Sequence, residues 1–197
     1  MTTVIDPKNI TDFNRTDNQL EMFWLFCIAV AGKNSDTTSK LLSLMFYAHQ
    51  DSPFDFLREL GQTGIHNMLV VNRSGQYRRI SKAFTQSLDL DLRTCTLEDL
   101  MSIYGVGPKT ARFFLLHSRK DCQHAVLDTH ILQWMKDHGI DHAPDTTPQN
   151  QKIYIEYEKL FRMLAHSYFP GLSLAQADLL IWTQQSGRLV ESNKWNF

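Results

Sequence analysis

"IYGVGPKTARFFL", residues Ile103–Leu115, sets two glycines and a proline between two apolar stretches and follows them at once with Lys109. The wider stretch "LEDLMSIYGVGPKTARFFLLHS" reads as helix, short turn, helix: Thr96 and the acids after it suit a helix start, and Gly105 suits its stop. Gly105 and Gly107 let the backbone turn tightly, and Val106 can plug inward between the two helices. Pro108 fits the first turn of the second helix, where its missing amide would have had no helical partner. The head of that helix, with Thr110 in its first turn, is then an anion site, since backbone N–H groups and the helix dipole hold a phosphate without reading sequence. Taken alone, the turn is equally a tight helix connection, and Lys109 equally a surface charge.

Outward from the hairpin, apolar residues recur at helical spacing almost everywhere and period-2 alternation is scarce, which makes the fold all-α. The spacing predicts helices over roughly 18–31, 36–48, 53–60, 63–71, 77–86, 96–104, 109–118, 128–138, 150–167 and 173–187. "SDTTSK" offers capping groups for the second, and a serine before Pro53 opens the third. "HGIDHAPDTTPQN", near 138–150, joins two helical layers, and Pro170 with Gly171 separates the last two helices. No repeat, low-complexity tract or flexible linker divides the 197 residues, so 1–197 reads as a single compact domain of two lobes with a cleft between them.

Composition narrows the chemistry. Cys27, Cys95 and Cys122 are far apart and form no CxxC, which leaves reduced thiols in a cytoplasmic protein and no cysteine-rich metal site. The polar start, residues 1–19, has no apolar core of signal-peptide type, and the run "MFWLFCIAVAG" is too short to cross a bilayer. A net charge of −1 gives no global argument for nucleic acid, so a basic footprint has to be local. "RSGQYRRISK", residues 73–82, supplies Arg78, Arg79 and Lys82 beside Tyr77, as phosphate contact plus stacking or as a solvated helix start. Downstream, "HAVLDTHILQWMKDHG" puts Asp128 at the head of a helix, where capping explains it without chemistry. His130, just beyond, packs or caps, and no HExxH pattern calls for a metal.

"YGVGPKTARFFLL", followed nineteen residues after its lysine by "VLDTHIL", resembles the signature of the helix-hairpin-helix DNA glycosylases. "EMFWLFCIAVAG", "VNRSGQYRRISKAF", "AVLDTHILQWM" and "ADLLIWTQQSGRL" occur in the same order, with similar wording, in the small archaeal-type 8-oxoguanine DNA glycosylases. The resemblance implies a two-lobed helical DNA glycosylase fold with its hairpin at about 97–118. It implies a bifunctional glycosylase and abasic-site lyase, with Lys109 as nucleophile and Asp128 as the second essential residue. The partner would be double-stranded DNA carrying a damaged base, 8-oxoguanine first, met by a monomer that uses no cofactor beyond a monovalent ion at the hairpin phosphate. The family's small members finish on a lysine that helps recognise the base; here "SGRLVESNKWNF" runs on, so Lys194 substitutes, or Trp195 and Phe197 close the pocket. The cysteine quartet of endonuclease III, and hence its cluster, is absent.

In that chemistry a carboxylate stabilises positive charge on the sugar while an amine traps it, and the amine must shed its proton first. The nucleotide has to leave the stack, so aromatic walls and a wedge for the vacated space are needed. Phe23, Trp24, Trp134 and Trp182 can stack, although at helical spacing aromatics are commonly core. Asn34, or His66 with Asn67, are wedge candidates on the assumption that both stretches are loops. The rival readings are a glycosylase for another modified base, an oxidised pyrimidine or a hypermodified thymine, and a non-catalytic DNA-binding module.

Overall fold

Every residue from Met22 to Ala29 is buried, which an amphipathic surface helix would not allow. That run makes α1 (Asp17–Val30) the axis of the fold in the computed structural model, which describes residues 5–187. α1 opens on a capping box: Gln19 N donates to Thr16 Oγ1 at 3.4 Å and Thr16 N donates to Gln19 Oε1 at 2.8 Å. Around it α2 (Ser35–Met45), α3 (Pro53–Val71), α4 (Tyr77–Ser87), α5 (Leu97–Met101) and α6 (Pro108–Ser118) close a large apolar core. α7 (Thr129–Asp137), α8 (Gln151–Tyr168) and α9 (Leu174–Gln185) enclose a second, smaller one. α9 serves both, with Leu179 in the larger core and Ala177 and Ile181 in the smaller. The described residues hold no strand, and α5, the turn 102–107 and α6 form the helix-hairpin-helix.

Several boundaries differ from expectation for local reasons. The two helices predicted over 53–60 and 63–71 are both present and run on from one another as α3, separated at Gly61, whose φ of 62° and ψ of 173° no helix tolerates. Ser52 does not cap it; Phe54 N donates instead to Glu21 Oε2 at 3.0 Å, an acid sent across from α1. Burial pushes the Glu21 carboxyl above its usual range even with that bond in place. α2 is capped by Asn34, which accepts from Thr37 N at 3.0 Å, so the helix starts just ahead of the predicted "DTT". The loop 138–150 joins α7 to α8 and is pinned by Thr147 Oγ1, which donates to Leu127 O at 2.8 Å. All three cysteines are free thiols, Cys122 half-buried and the others buried. No helix among the described residues is long and apolar enough to cross a membrane.

Candidate active site and nucleic-acid interface

A cleft of about 640 Å³ opens between the two cores, within the span of roughly 300–1,000 Å³ that ligand sites occupy. Lys109, the second residue of α6, lines it together with Thr110. Asp128, the N-cap of α7, lines it too, with His130, Trp182 and Asp178 of α9. The α1–α2 connection adds Lys33 and Asn34 to the lining.

Asp128 is held by more than its own helix. Its Oδ1 accepts from Ile131 N at 2.9 Å, the capping role expected of it. The backbone just before it, 125–127, is neither helix nor strand, so its polar groups need partners from elsewhere. The fully buried Tyr154 of α8 supplies two: its hydroxyl donates to Ala125 O and accepts from Leu127 N, both at 2.9 Å. Glu158, one turn on, accepts from Ala125 N at 2.7 Å and from Arg112 Nε at 2.9 Å. Arg112 lies on α6, its guanidinium 4.1 Å over the Tyr154 ring. The helix that carries Lys109 and the segment that carries Asp128 are thus fastened to the same face of α8. Burial works to raise the Glu158 carboxyl, but His124, the Ala125 amide and Arg112 outweigh it and hold the group below its usual range. Burial also lifts the Tyr154 phenol well above its usual range, so it stays a neutral donor.

The hairpin turn is braced from behind. Gly105 has a φ of +74°, and a Cβ there would lie 2.5 Å from Arg79 Cγ. Arg79 donates through Nη1 to Gly105 O at 3.3 Å, through Nη2 to Ile28 O at 2.9 Å and through Nε to Gln76 Oε1 at 2.7 Å. Three of the five N–H donors of Arg79 are thus spent within the protein, so this side chain braces the turn against α1 and does not stand free as Arg78 does. Val106 needs a correction, because its side chain is in the larger core and its amide donates to Ile103 O at 3.1 Å. The donors left to the anion site are the amides of Gly107, Lys109 and Thr110, which open α6 and have no carbonyl of their own helix to bind. The Thr110 side chain is buried toward the cleft. Arg78 and Lys82 are exposed on α4, and Lys82 Nζ stands 4.2 Å over the exposed ring of Tyr104 at the hairpin edge.

Of the aromatic candidates for a base pocket, only Trp182 lines the cleft, its ring edge-on to His130 at 6.1 Å. Phe23 and Trp24 do not, and are corrected to core residues: both are fully buried, Phe23 against Phe114 and Trp24 with its Nε1 donating to Ser87 Oγ at 2.8 Å. Trp134 is core in the second lobe. Asn34 spends its side-chain oxygen on capping α2. His66 and Asn67 are not in a loop but in the second half of α3, with His66 edge-on to Tyr77 at 6.2 Å. Lys194, Trp195 and Phe197 lie outside the described residues.

Three buried groups carry no signal in the sequence, and two of them, His117 and Asp178, line the cleft. His117, near the end of α6, bonds through Nδ1 to Thr11 Oγ1 at 2.7 Å, from 106 residues away. Its Nε2 lies 3.3 Å from Asp178 Oδ2. Burial pushes the Asp178 carboxyl up against the opposing pull of His117, and its Oδ1 makes no hydrogen bond among the described residues. Arg15, also buried, donates to His117 O at 2.8 Å and lies 4.0 Å over the Phe23 ring, tying the chain's start to the end of α6.

With that geometry in place, comparison with known proteins is informative. The family model described as 8-oxoguanine DNA glycosylase matches residues 7–168. An 8-oxoguanine DNA glycosylase/AP lyase of Saccharolobus solfataricus is 20% identical over 196 residues, covering 93% of this chain and 92% of that protein. The crystal structure of the Methanocaldococcus jannaschii 8-oxoguanine glycosylase/lyase in complex with a 15mer DNA containing 8-oxoguanine superposes with a TM-score of 0.70 at 21% identity. That match covers 93% of this chain and 90% of the other. The 8-oxoguanine DNA glycosylase of Thermotoga maritima gives a TM-score of 0.69 at 19% identity, covering 92% and 88%. At these identities the structural likeness shows the fold.

Proposed function

Since the chain belongs to the 8-oxoguanine DNA glycosylase family, we propose that it excises a damaged base, 8-oxoguanine first, from double-stranded DNA and then cuts the strand at the abasic site. The observation that carries this reading is that Lys109 and Asp128, each at the head of a helix, line one cleft. The nucleotide turns out of the stack into that cleft while the amides of Gly107, Lys109 and Thr110 hold a phosphate beside it. Trp182 is the wall on which the everted base stacks. As the N-glycosidic bond stretches, the Asp128 carboxylate stabilises positive charge growing on the sugar. The neutral Lys109 amine bonds to C1′, and the base departs with the bonding pair and takes up a proton. The C1′–O4′ bond then opens as one N–H proton moves to O4′, leaving a protonated imine between Nζ and C1′. Loss of a C2′ proton expels the 3′ phosphate. No cofactor enters these steps, and a monovalent ion at the hairpin phosphate is the one addition proposed. A monomer of one domain, working on DNA in the cytoplasm, completes the proposal.

The test uses duplexes carrying 8-oxoguanine, thymine glycol, uracil or an abasic site, each incubated with the protein and borohydride. A covalent adduct with the 8-oxoguanine duplex, lost in Lys109→Gln, is the expected result. Equal trapping by Lys109→Gln removes the nucleophile assignment. Release of thymine glycol in preference to 8-oxoguanine changes the substrate, and salt-dependent binding with no release leaves a binding module.

A further inference from the structure

Lys33 stands on the α1–α2 connection and lines the cleft, and none of the salt bridges among the described residues includes it. Its Nζ donates to a neutral acceptor, Ser74 O, at 2.7 Å. The segment that presents this carbonyl is unusual: Arg73 and Gln76 have φ of 52° and 49° without being glycine, and Gly75 between them has a φ of 67°. Backbone held in the left-handed region by non-glycine residues persists where the surroundings fix it, and such sites are often functional. Here two ties do the fixing, Arg79 Nη2 to Ile28 O at 2.9 Å and Gln76 Nε2 to Ala31 O at 3.5 Å. The result is a cation held in the cleft wall by a neutral carbonyl.

We propose that Lys33 is a DNA-contact residue, which takes a phosphate oxygen of the duplex where the α1–α2 connection lines the cleft. The assignment rests on the DNA-binding reading above. It moves the contact to a residue outside the basic stretch 73–82, where Arg79 spends three of its five N–H donors within the protein.

The proposal makes the contact proton-linked. Burial, then the neighbouring Arg79, lowers the Lys33 ammonium to about 8. The charged groups around it are Arg79 from α4 and Asp36 in the first turn of α2, and the same cleft is lined by Lys109, Asp128, His130 and the His117–Asp178 pair. A phosphate against Nζ favours the ammonium, so the duplex binds the protonated protein best and affinity falls as pH rises through 8. With an ordinary lysine value in the complex, the weakening between pH 7 and 9 is about tenfold. Arginine at the same position keeps its charge across that range and can still donate to Ser74 O.

The experiment measures fluorescence anisotropy of a duplex with a tetrahydrofuran abasic analogue, at constant ionic strength, from pH 6.5 to 9.5. For Lys33→Arg the tenfold fall should disappear. At pH 7, Lys33→Gln should bind more weakly on every duplex and lower the salt slope by about one. The inference fails if Lys33→Arg follows the native pH profile, or if Lys33→Gln keeps the native salt slope. A structural role alone would change thermal stability and leave both readouts where they were; should Lys33→Gln not fold, the Lys33→Arg profile decides. Native protein with no salt-dependent duplex binding sinks the DNA reading together with this one, whereas native binding that all Lys33 substitutions leave unaltered sinks only this one.

Discussion

Tyr154→Phe removes one oxygen atom from the interior and leaves ring packing intact. That atom accepts from Leu127 N and donates to Ala125 O, each at 2.9 Å, in a segment with no ladder of its own. Tyr154 has no exposure, so water cannot replace either bond. Leaving a buried donor or acceptor unmade costs about 1–3 kcal/mol each, so two orphaned groups give a loss of about 3 kcal/mol. For a chain of this size that is a fall of roughly 6–12 °C in melting temperature. The segment that loosens leads directly into Asp128, so base excision should fall at least tenfold at a temperature where the variant is fully folded. Urea denaturation gives the first number, and single-turnover excision from an 8-oxoguanine duplex gives the second. Tyr157→Phe is the control, since its hydroxyl donates to His142 O at an exposed position and should cost little. A Tyr154→Phe protein within 0.5 kcal/mol of native, as a rough limit of resolution, with undiminished excision would refute the idea that this hydroxyl positions the carboxylate.

Gly105→Ala should cost about 1–2 kcal/mol from its left-handed backbone alone, and more because the new methyl meets Arg79 Cγ at 2.5 Å. Duplex affinity should drop with it, as read by anisotropy; unchanged affinity would detach the turn from DNA binding. Asp178→Asn should raise the melting temperature at pH 8 and lose that advantage toward pH 4. Burial raises the Asp178 carboxyl in the folded state, so its contribution is present below the unfolded value of about 3.9 and is lost as pH rises. A stability gap that is widest in acid would contradict this sign.

The parts of this molecule readable in advance are those whose physics is local. The Thr96 cap of α5, the proline at the head of α6 and the aspartate at the head of α7 all act within a few residues of themselves. Lys109 and Asp128 were legible as residues of helix starts, whereas their chemical roles rested on the resemblance of the two motifs, nineteen residues apart, to the helix-hairpin-helix glycosylases. What could not be read is who answers whom across the fold. Nothing about Arg79 in a basic run says that its guanidinium will turn back onto Gly105 O. His66 and Asn67 fall inside the predicted helix 63–71, and the second half of α3 keeps them there, which removes the loop that a wedge would need. Phe23 and Trp24 fit a stacking wall or a core equally well, and only the position of α1 at the centre decides for the core. Lys33 has a single charged side chain's worth of sequence signal, and its meaning comes from the carbonyl of Ser74.

α9 gives Leu179 to one core and Ala177 and Ile181 to the other, so neither half of the molecule can melt or swing open without undoing the other. Such a chain should unfold in one cooperative transition. It also means that the cleft cannot widen like a hinged jaw to admit a straight duplex. Under the function proposed here the deformation falls on the nucleic acid, which must bend and release a nucleotide to reach Lys109. A lesion that already weakens stacking or pairing at its own step would make that bend easier, so the stiffness of the protein would itself favour damaged DNA over intact DNA.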